Sequence, residues 1–272
     1  MQFDKHSYTT IFGNKLELWT RDTTVDFDLH QGLLVEDEYG IHDLMVRQGL
    51  KFETAIDIGS YAGSMAMLLG SQGIKTLAVE PVRENVELIQ KNIDQNNLGH
   101  LVKIAPYAMG GRRSQARMVV QRPTLVEDNN LYESRHRFVA KPFPSGVRPL
   151  GGLHERDSEV ITLNLAEAAQ LLGVEKFDLI KCDCEGAEWE IFQREPGDPV
   201  DQILQQAKII TLEIHGWGGA PGLAPGDTSI LQPFERLLGS CFVNIVKDVR
   251  EHQAVKRPDY PQEAIFINKN LT

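Results

Sequence analysis

The stretch Thr54-Ala-Ile-Asp-Ile-Gly-Ser-Tyr-Ala-Gly63, followed by Thr76-Leu-Ala-Val-Glu-Pro81, constrains the fold more than any other part of the chain. It reads as a buried strand, a tight glycine turn, a helix and a second strand ending in an acid. Gly59 permits a sharp reversal at the strand end, and Gly63 lets helix and ligand approach closely. Asp57 enters the turn, and Glu80 stands 23 positions further on, where an acid can accept hydrogen bonds from ribose hydroxyls. The pattern is that of a nucleoside-cofactor site. Dinucleotide sites present bare backbone N–H groups to an anionic pyrophosphate. Here the spacing is Asp57-x-Gly59-x-x-x-Gly63. A carboxylate at that place repels pyrophosphate and suits a ligand carrying an ammonium and a sulfonium, so the expected cofactor is S-adenosyl-L-methionine (SAM). A strand-to-helix glycine turn is common by itself. Its pairing with Val79-Glu80-Pro81 is what makes the signal specific.

Strands expected at Thr54–Ile58, Thr76–Val79, Leu101–Ala105, Phe177–Cys182 and Lys208–Ile214 alternate with helices at Gly63–Leu69, Arg83–Asn96, Leu163–Leu172 and Ile230–Leu238. Cys241–Val246 and Ala264–Asn268 are expected to pair antiparallel at one edge. The fold class is therefore α/β, a Rossmann-like sheet, mostly parallel with an antiparallel edge hairpin. Residues 1–50 form an N-terminal leader or cap, with a turn at Phe12-Gly-Asn-Lys15 and helix-compatible spacing across Val35–Gln48. Residues 51–272 form the cofactor-binding domain. Ligands of such sheets bind at the carboxyl ends of the strands, which places Asp57, Glu80, Asp183 and Glu213 around one mouth.

The segment 112–157 breaks the rhythm and reads as a long inserted loop rich in proline and glycine. It carries eight of the chain's 15 arginines, which suggests either an anionic group on the substrate or pairing with the acids of the same segment. The formal charge of −10 argues against broad binding of a phosphate backbone. Nucleic acid is thus disfavoured, although the insertion does set Tyr132, Phe138 and Phe143 among basic residues. Cys182, Cys184 and Cys241 make neither a disulfide framework nor a good zinc set. The first 25 residues are studded with charge, and no apolar run reaches membrane-spanning length. A soluble cytoplasmic protein is expected.

The stretch Asp178-Leu-Ile-Lys-Cys-Asp-Cys-Glu-Gly-Ala-Glu188 resembles the FkbM-type methyltransferases, a branch of the class I SAM-dependent fold, which carry I-K-x-D-x-E-G-x-E after the fourth strand. The Asp57–Gly63 turn, Val79-Glu80-Pro81, Asn85, Asn92 and Thr211-Leu-Glu-Ile-His215 are also similar, and the likeness covers roughly residues 50–110 and 158–270. The long insertion and Ser60-Tyr61, where that family often has Ala-Asn, depart from its pattern. The resemblance implies a methyltransferase, with O-methylation of a sugar, glycolipid or secondary-metabolite hydroxyl. Competing classes are an RNA-directed methyltransferase, a SAM-binding module without catalysis, and an NAD-dependent oxidoreductase. The last lacks its tight glycine triplet here.

Residues expected to hold the cofactor are Asp57, Gly59, Ser60, Tyr61, Gly63, Glu80, Pro81, Ala108 and Asp183. Methyl transfer to a hydroxyl needs in-line geometry and a base, or a metal that acidifies the hydroxyl. Asp183, at a strand end, is the first candidate to face the acceptor. Glu213 and His215 lie two residues apart on one face of the next strand. His215 reads first as a general base, and otherwise as a ligand with Asp183 and Glu213 of Mg²⁺ or Mn²⁺ or as a structural histidine. Glu185 and Glu188 read as acids in the first turn of a helix, and Trp217 as a cover over the acceptor or a loop anchor. The acceptor is expected to be a small molecule or glycan.

Overall fold

The computed structural model describes residues 3–21, 26–121, 136–139, 155–184, 186–215, 231–245 and 262–272. In the leader, β1 (Phe3–Thr9) and β2 (Lys15–Arg21) form an antiparallel hairpin with Phe3 opposite Arg21. The following helix, α1, spans Asp26–Leu34, not the predicted Val35–Gln48. Asp37 and Gly40 take φ of 57° and 66°, and the Asp37 carboxylate accepts the backbone amides of His42 and Asp43 at 2.9 and 3.2 Å. A side chain that caps amides in this way interrupts a helix, so only a π-helical turn, Asp43–Arg47, remains there.

The core runs β3 (Thr54–Ile58), α2 (Ser64–Ser71), β4 (Lys75–Val79), α3 (Arg83–Gln95) and β5 (Val102–Ala105). Next come β6 (Ala108–Met109), β7 (Ser114–Gln121), β8 (His136–Val139) and β9 (Glu155–Leu163). The chain continues with α4 (Leu165–Leu172), β10 (Leu179–Cys182), α5 (Glu188–Ile191) and α6 (Pro199–Gln206). It ends with β11 (Ile209–Ile214), α7 (Leu231–Leu238), β12 (Phe242–Asn244) and β13 (Gln262–Asn268). Seven strands join in the order β12-β13-β11-β10-β3-β4-β5, and only β13 runs against its neighbours. The chain order reverses between β3 and β10, which opens a crevice at their carboxyl ends.

Alternation along these strands divides the interior. Ile56, Ile58, Ile180, Ile210 and Leu212 pack with α4, α6 and α7 through Leu165, Leu204 and Phe234. On the other face Ala55, Leu179 and Ile209 pack with Leu68 and Ile89 of α2 and α3, and with Leu18, Leu34 and Leu44 of the leader. Register sets Lys181 beside both Asp57 and Thr211, so the polar residues of the strand ends belong to the leader's face. The leader therefore packs on the face of the sheet that carries these polar residues.

Polar bonds hold it there. Asn92 of α3 and Asn96 at its C-cap accept the backbone amides of Trp19 and Glu17 at 2.7 and 2.9 Å, which pairs part of an otherwise open edge of β2. Arg21 donates two bonds to Asp26 at 2.9 and 2.8 Å and one to Asn85 at 2.6 Å, and its guanidinium lies 4.8 Å from the Tyr61 ring. Both members of the Arg21–Asp26 pair are buried. Removing one partner of a buried pair leaves a desolvated charge, at a cost of about 3–5 kcal/mol. Arg21→Ala is thus expected to lower the melting temperature by roughly 10 °C. A thermal melt with no change would show that the pair is hydrated.

The segment predicted as a loop at 112–157 is a correction: β7, β8 and the first three residues of β9 lie within it. They build a second sheet of order β6-β9-β7-β8, with Arg117 registered opposite Glu159. Ser-Gln-Ala-Arg-Met-Val-Val-Gln and Glu-Arg-Asp-Ser-Glu-Val-Ile-Thr-Leu carry the β-branched residues that favour strands. Of the residues singled out above, Tyr132, Phe143, Glu185 and Trp217 lie outside the described residues.

Candidate functional site

The turn after β3 is shaped by backbone geometry. Gly59 and Gly63 have φ of 74° and 85°, and Tyr61, not a glycine, has φ of 50°. That conformation costs a non-glycine residue about 1–2 kcal/mol. Tyr61 is held in it by donating its amide to Glu80 Oε2 at 2.9 Å and by the Arg21 guanidinium over its ring. Asn takes this region more readily. Glu80 Oε1 accepts the Val82 amide at 2.8 Å and Asn85 Nδ2 at 3.1 Å. Asn85 therefore links the leader's Arg21 to the acid expected to meet ribose.

Burial pushes the Glu80 carboxyl from its ordinary 4.5 up to about 7, against the lowering effect of these three donors. The folded state then binds this proton more tightly than the unfolded chain does. Glu80 contributes fully to stability below about pH 4.5, and that contribution is lost as pH rises through about 7. Denaturant unfolding at pH 5 and pH 8 should show wild type losing up to about 3 kcal/mol relative to Glu80→Gln. Equal changes in both proteins would remove Glu80 as the cause.

Asp57, next to last in β3, is fully buried, and neither of its oxygens receives an aligned hydrogen bond. Lys181 Nζ sits 3.4 Å from Asp57 Oδ1 and 4.0 Å from Asp183 Oδ2, and donates to the Gly59 carbonyl at 3.2 Å. Burial pulls the Lys181 pKa down, but Asp57 and Asp183 push it up further, so it is raised overall and the ammonium stays charged. Tyr39 donates its hydroxyl to Asp183 Oδ2 at 3.0 Å. Burial and the Asp183 charge hold the Tyr39 pKa well above its usual value, so it remains a donor.

On β11, Glu213 is half-buried and His215, just past the strand, is buried. One ligand atom from each of Asp183, Glu213 and His215 lies within 4.8 Å of the others. Glu188 stands in the first turn of α5, as expected, and has a further contact that the sequence did not reveal. It is fully buried, and its Oε1 lies 3.0 Å from His215 Nδ1 while accepting the Cys184 and Gly186 amides at 3.1 and 3.3 Å. The physical reason is that α5 is only four residues long and its first turn is folded against β11, where Trp189 Nε1 donates to the His215 carbonyl at 2.9 Å.

A cavity of about 110 Å³ lies at these strand ends. It brings together Asp57, Gly59, Ser60, Tyr61, Asp183 and Glu213 from the predicted set, and adds Lys181, Glu38, Tyr39, Leu29 and Leu33. Glu80 joins through the Tyr61 amide, with Pro81 beside it and Gly63 at the cap of α2. Ala108 stands apart, paired with Thr162 in the second sheet. Cys182 and Cys184 place their sulfurs 3.7 Å apart as free thiols. Complete small-molecule sites occupy roughly 300 Å³ or more, so this cavity accommodates part of a nucleoside ligand. No helix among the described residues is long and apolar enough to cross a membrane.

Among solved structures the chain is similar to the methyltransferase FkbM from Methylobacillus flagellatus KT, with 13% identity and a TM-score of 0.44 over 82% of this chain and 46% of that one. It thus spans about half of that protein's length. It is also similar to a putative O-methyltransferase from Klebsiella pneumoniae (11% identity, TM-score 0.42, 92% of this chain and 91% of that one). A third is the putative methyltransferase yhhF from Escherichia coli (8% identity, TM-score 0.43, 97% and 99%). No curated protein matches the chain. A family model described as the methyltransferase FkbM domain matches residues 57–238, which takes in the Asp57 turn, Glu80, the Asp183–Glu188 element, Glu213 and His215. With a Rossmann-like sheet that carries its reversed strand between β11 and β12, and a family match over well more than half of its length, the chain belongs to the FkbM methyltransferase family, of class I fold.

Proposed function

We propose that the chain transfers the methyl group of S-adenosylmethionine to a hydroxyl oxygen of a small molecule or glycan. The observation that carries this reading is the charge of the cavity: Glu38, Asp57, Asp183 and Glu213 line it, against Lys181 as the one cation among its described lining residues. Such a site attracts a ligand with cationic groups and repels a pyrophosphate. The cofactor fits the residues present. Asp57, buried without an aligned donor, can take the ammonium, and Glu80 retains acceptor capacity for ribose hydroxyls.

When bound, the cofactor supplies an electrophilic methyl carbon on sulfur. Asp183, partly exposed at the cavity, accepts the proton of the acceptor hydroxyl. Tyr39 and Lys181 fix the Asp183 carboxylate, and this positioning matters because displacement requires near-contact, in-line geometry. His215 is not among the cavity-lining residues; its contact with Glu188 supports a role behind Glu213 rather than as the base. We further propose that the arginine-rich segment 112–157 reads an anionic group on the acceptor. Labelled methyl transfer from SAM to hydroxylated sugars and metabolites, run beside their amino analogues, tests the reading. Label on the hydroxyl compounds is expected; label on the amines alone contradicts it.

A further inference from the structure

We propose that Asp183, Glu213 and His215 hold a divalent cation of the Mn²⁺ or Mg²⁺ kind at the acceptor end of the cavity, with Glu188 as the carboxylate that orients the imidazole. The inference rests on the methyltransferase reading and extends it. The three side chains come from the ends of neighbouring strands, β10 and β11, and their ligand atoms lie within 4.8 Å of one another. Ligand atoms around a hard dication at 2.0–2.1 Å stand about 3 Å apart, so side-chain adjustment alone closes the set.

Two further features separate this from a chance gathering of acids. The first is the Glu188–His215 contact, 3.0 Å at Nδ1, with both groups buried. A carboxylate at Nδ1 places the ring proton there and the ring lone pair on Nε2, the arrangement that metal-ligating histidines adopt. The Cys184 and Gly186 amides hold Glu188 Oε1 in place, and its Oε2 is buried without a hydrogen bond, which is costly unless positive charge is near. The second is Asp57, a fully buried carboxylate on the same cavity that has Lys181 at 3.4 Å but no aligned hydrogen bond, and whose negative charge adds to that of Asp183 and Glu213. Lys181 supplies one positive charge to this group, and Tyr39 occupies Asp183 Oδ2, which leaves Oδ1 to face an ion. Two carboxylates and one imidazole form a donor set that suits Mn²⁺ or Mg²⁺. An ion there would lower the pKa of an acceptor hydroxyl and so ease the loss of its proton.

Titration of the chain with Mn²⁺, followed by the loss of the free-ion electron paramagnetic resonance signal, tests this directly. Wild type is expected to bind one equivalent, displaced by excess Mg²⁺. Glu188→Gln is expected to weaken Mn²⁺ by about 10–100-fold, and Glu213→Gln, which alters a half-buried residue and spares folding, by more. No Mn²⁺ binding by wild type, or equal binding by Glu213→Gln, overturns the site. S-adenosylhomocysteine titrated in chelator is read separately. Its failure to bind removes the cofactor reading, whereas its binding by a protein that ignores Mn²⁺ removes only the cation site.

Discussion

Asp183→Asn is expected to lower turnover by about 10²–10⁴-fold while S-adenosylhomocysteine affinity stays within a few-fold of wild type. The amide has the carboxylate's shape and keeps an oxygen to accept the Tyr39 hydroxyl, so the end of β10 should not move. Lys181 retains Asp57 at 3.4 Å and the Gly59 carbonyl at 3.2 Å, so its charge stays compensated. What disappears is the anion that receives the acceptor's proton. Single-turnover rates alongside calorimetry separate the two effects. Equal losses in rate and affinity would instead make Asp183 a cofactor-holding residue.

Gly59→Ala should cause the largest loss of stability. A Cβ at this position would lie 1.8 Å from the Asp183 carbonyl oxygen and 2.8 Å from its carbon, both main-chain atoms that rotamer changes cannot move. Separating them means prising the β3 turn from the end of β10, where Asp183 donates its amide to the Ile58 carbonyl at 3.1 Å. A cost of about 4 kcal/mol or more is expected, which lowers the melting temperature by roughly 10 °C or prevents folding. Gly73 provides the contrast: its φ is +80°, but an added methyl group would meet nothing within 4 Å, so Gly73→Ala should cost only about 1 kcal/mol. Similar losses at both positions would show that backbone conformation, rather than contact with Asp183, makes Gly59 necessary.

The same contact shows what could be read in the sequence. Thr54–Ile58 and its glycine turn were legible because a buried parallel strand is almost continuously apolar and its exit needs a residue free of Cβ. Asp57, Asp183 and Glu213 were legible as strand-end residues, since the carboxyl edge of a parallel sheet gathers whatever polar groups end its strands. Tyr39 was not, because it meets Asp183 across 144 residues and depends on how the leader lies. α1 was missed for a related reason: it buries Asp26 and His30 through Arg21 and Ser64, so its inner face is not apolar. Glu188 looked like a helix acid until β11 returned His215 to it. In the insertion, proline and glycine between its strands outweighed the alternation of β7 and β9.

Calorimetric titration of the chain with S-adenosylhomocysteine, with NAD⁺ as comparator and Asp57→Ala as control, tests the cofactor reading most directly. Wild type should bind S-adenosylhomocysteine in the micromolar range and NAD⁺ not at all, and Asp57→Ala should bind much more weakly. NAD⁺ binding, silence with both ligands, or an Asp57→Ala protein with wild-type affinity would contradict the assignment of this cavity to S-adenosylmethionine.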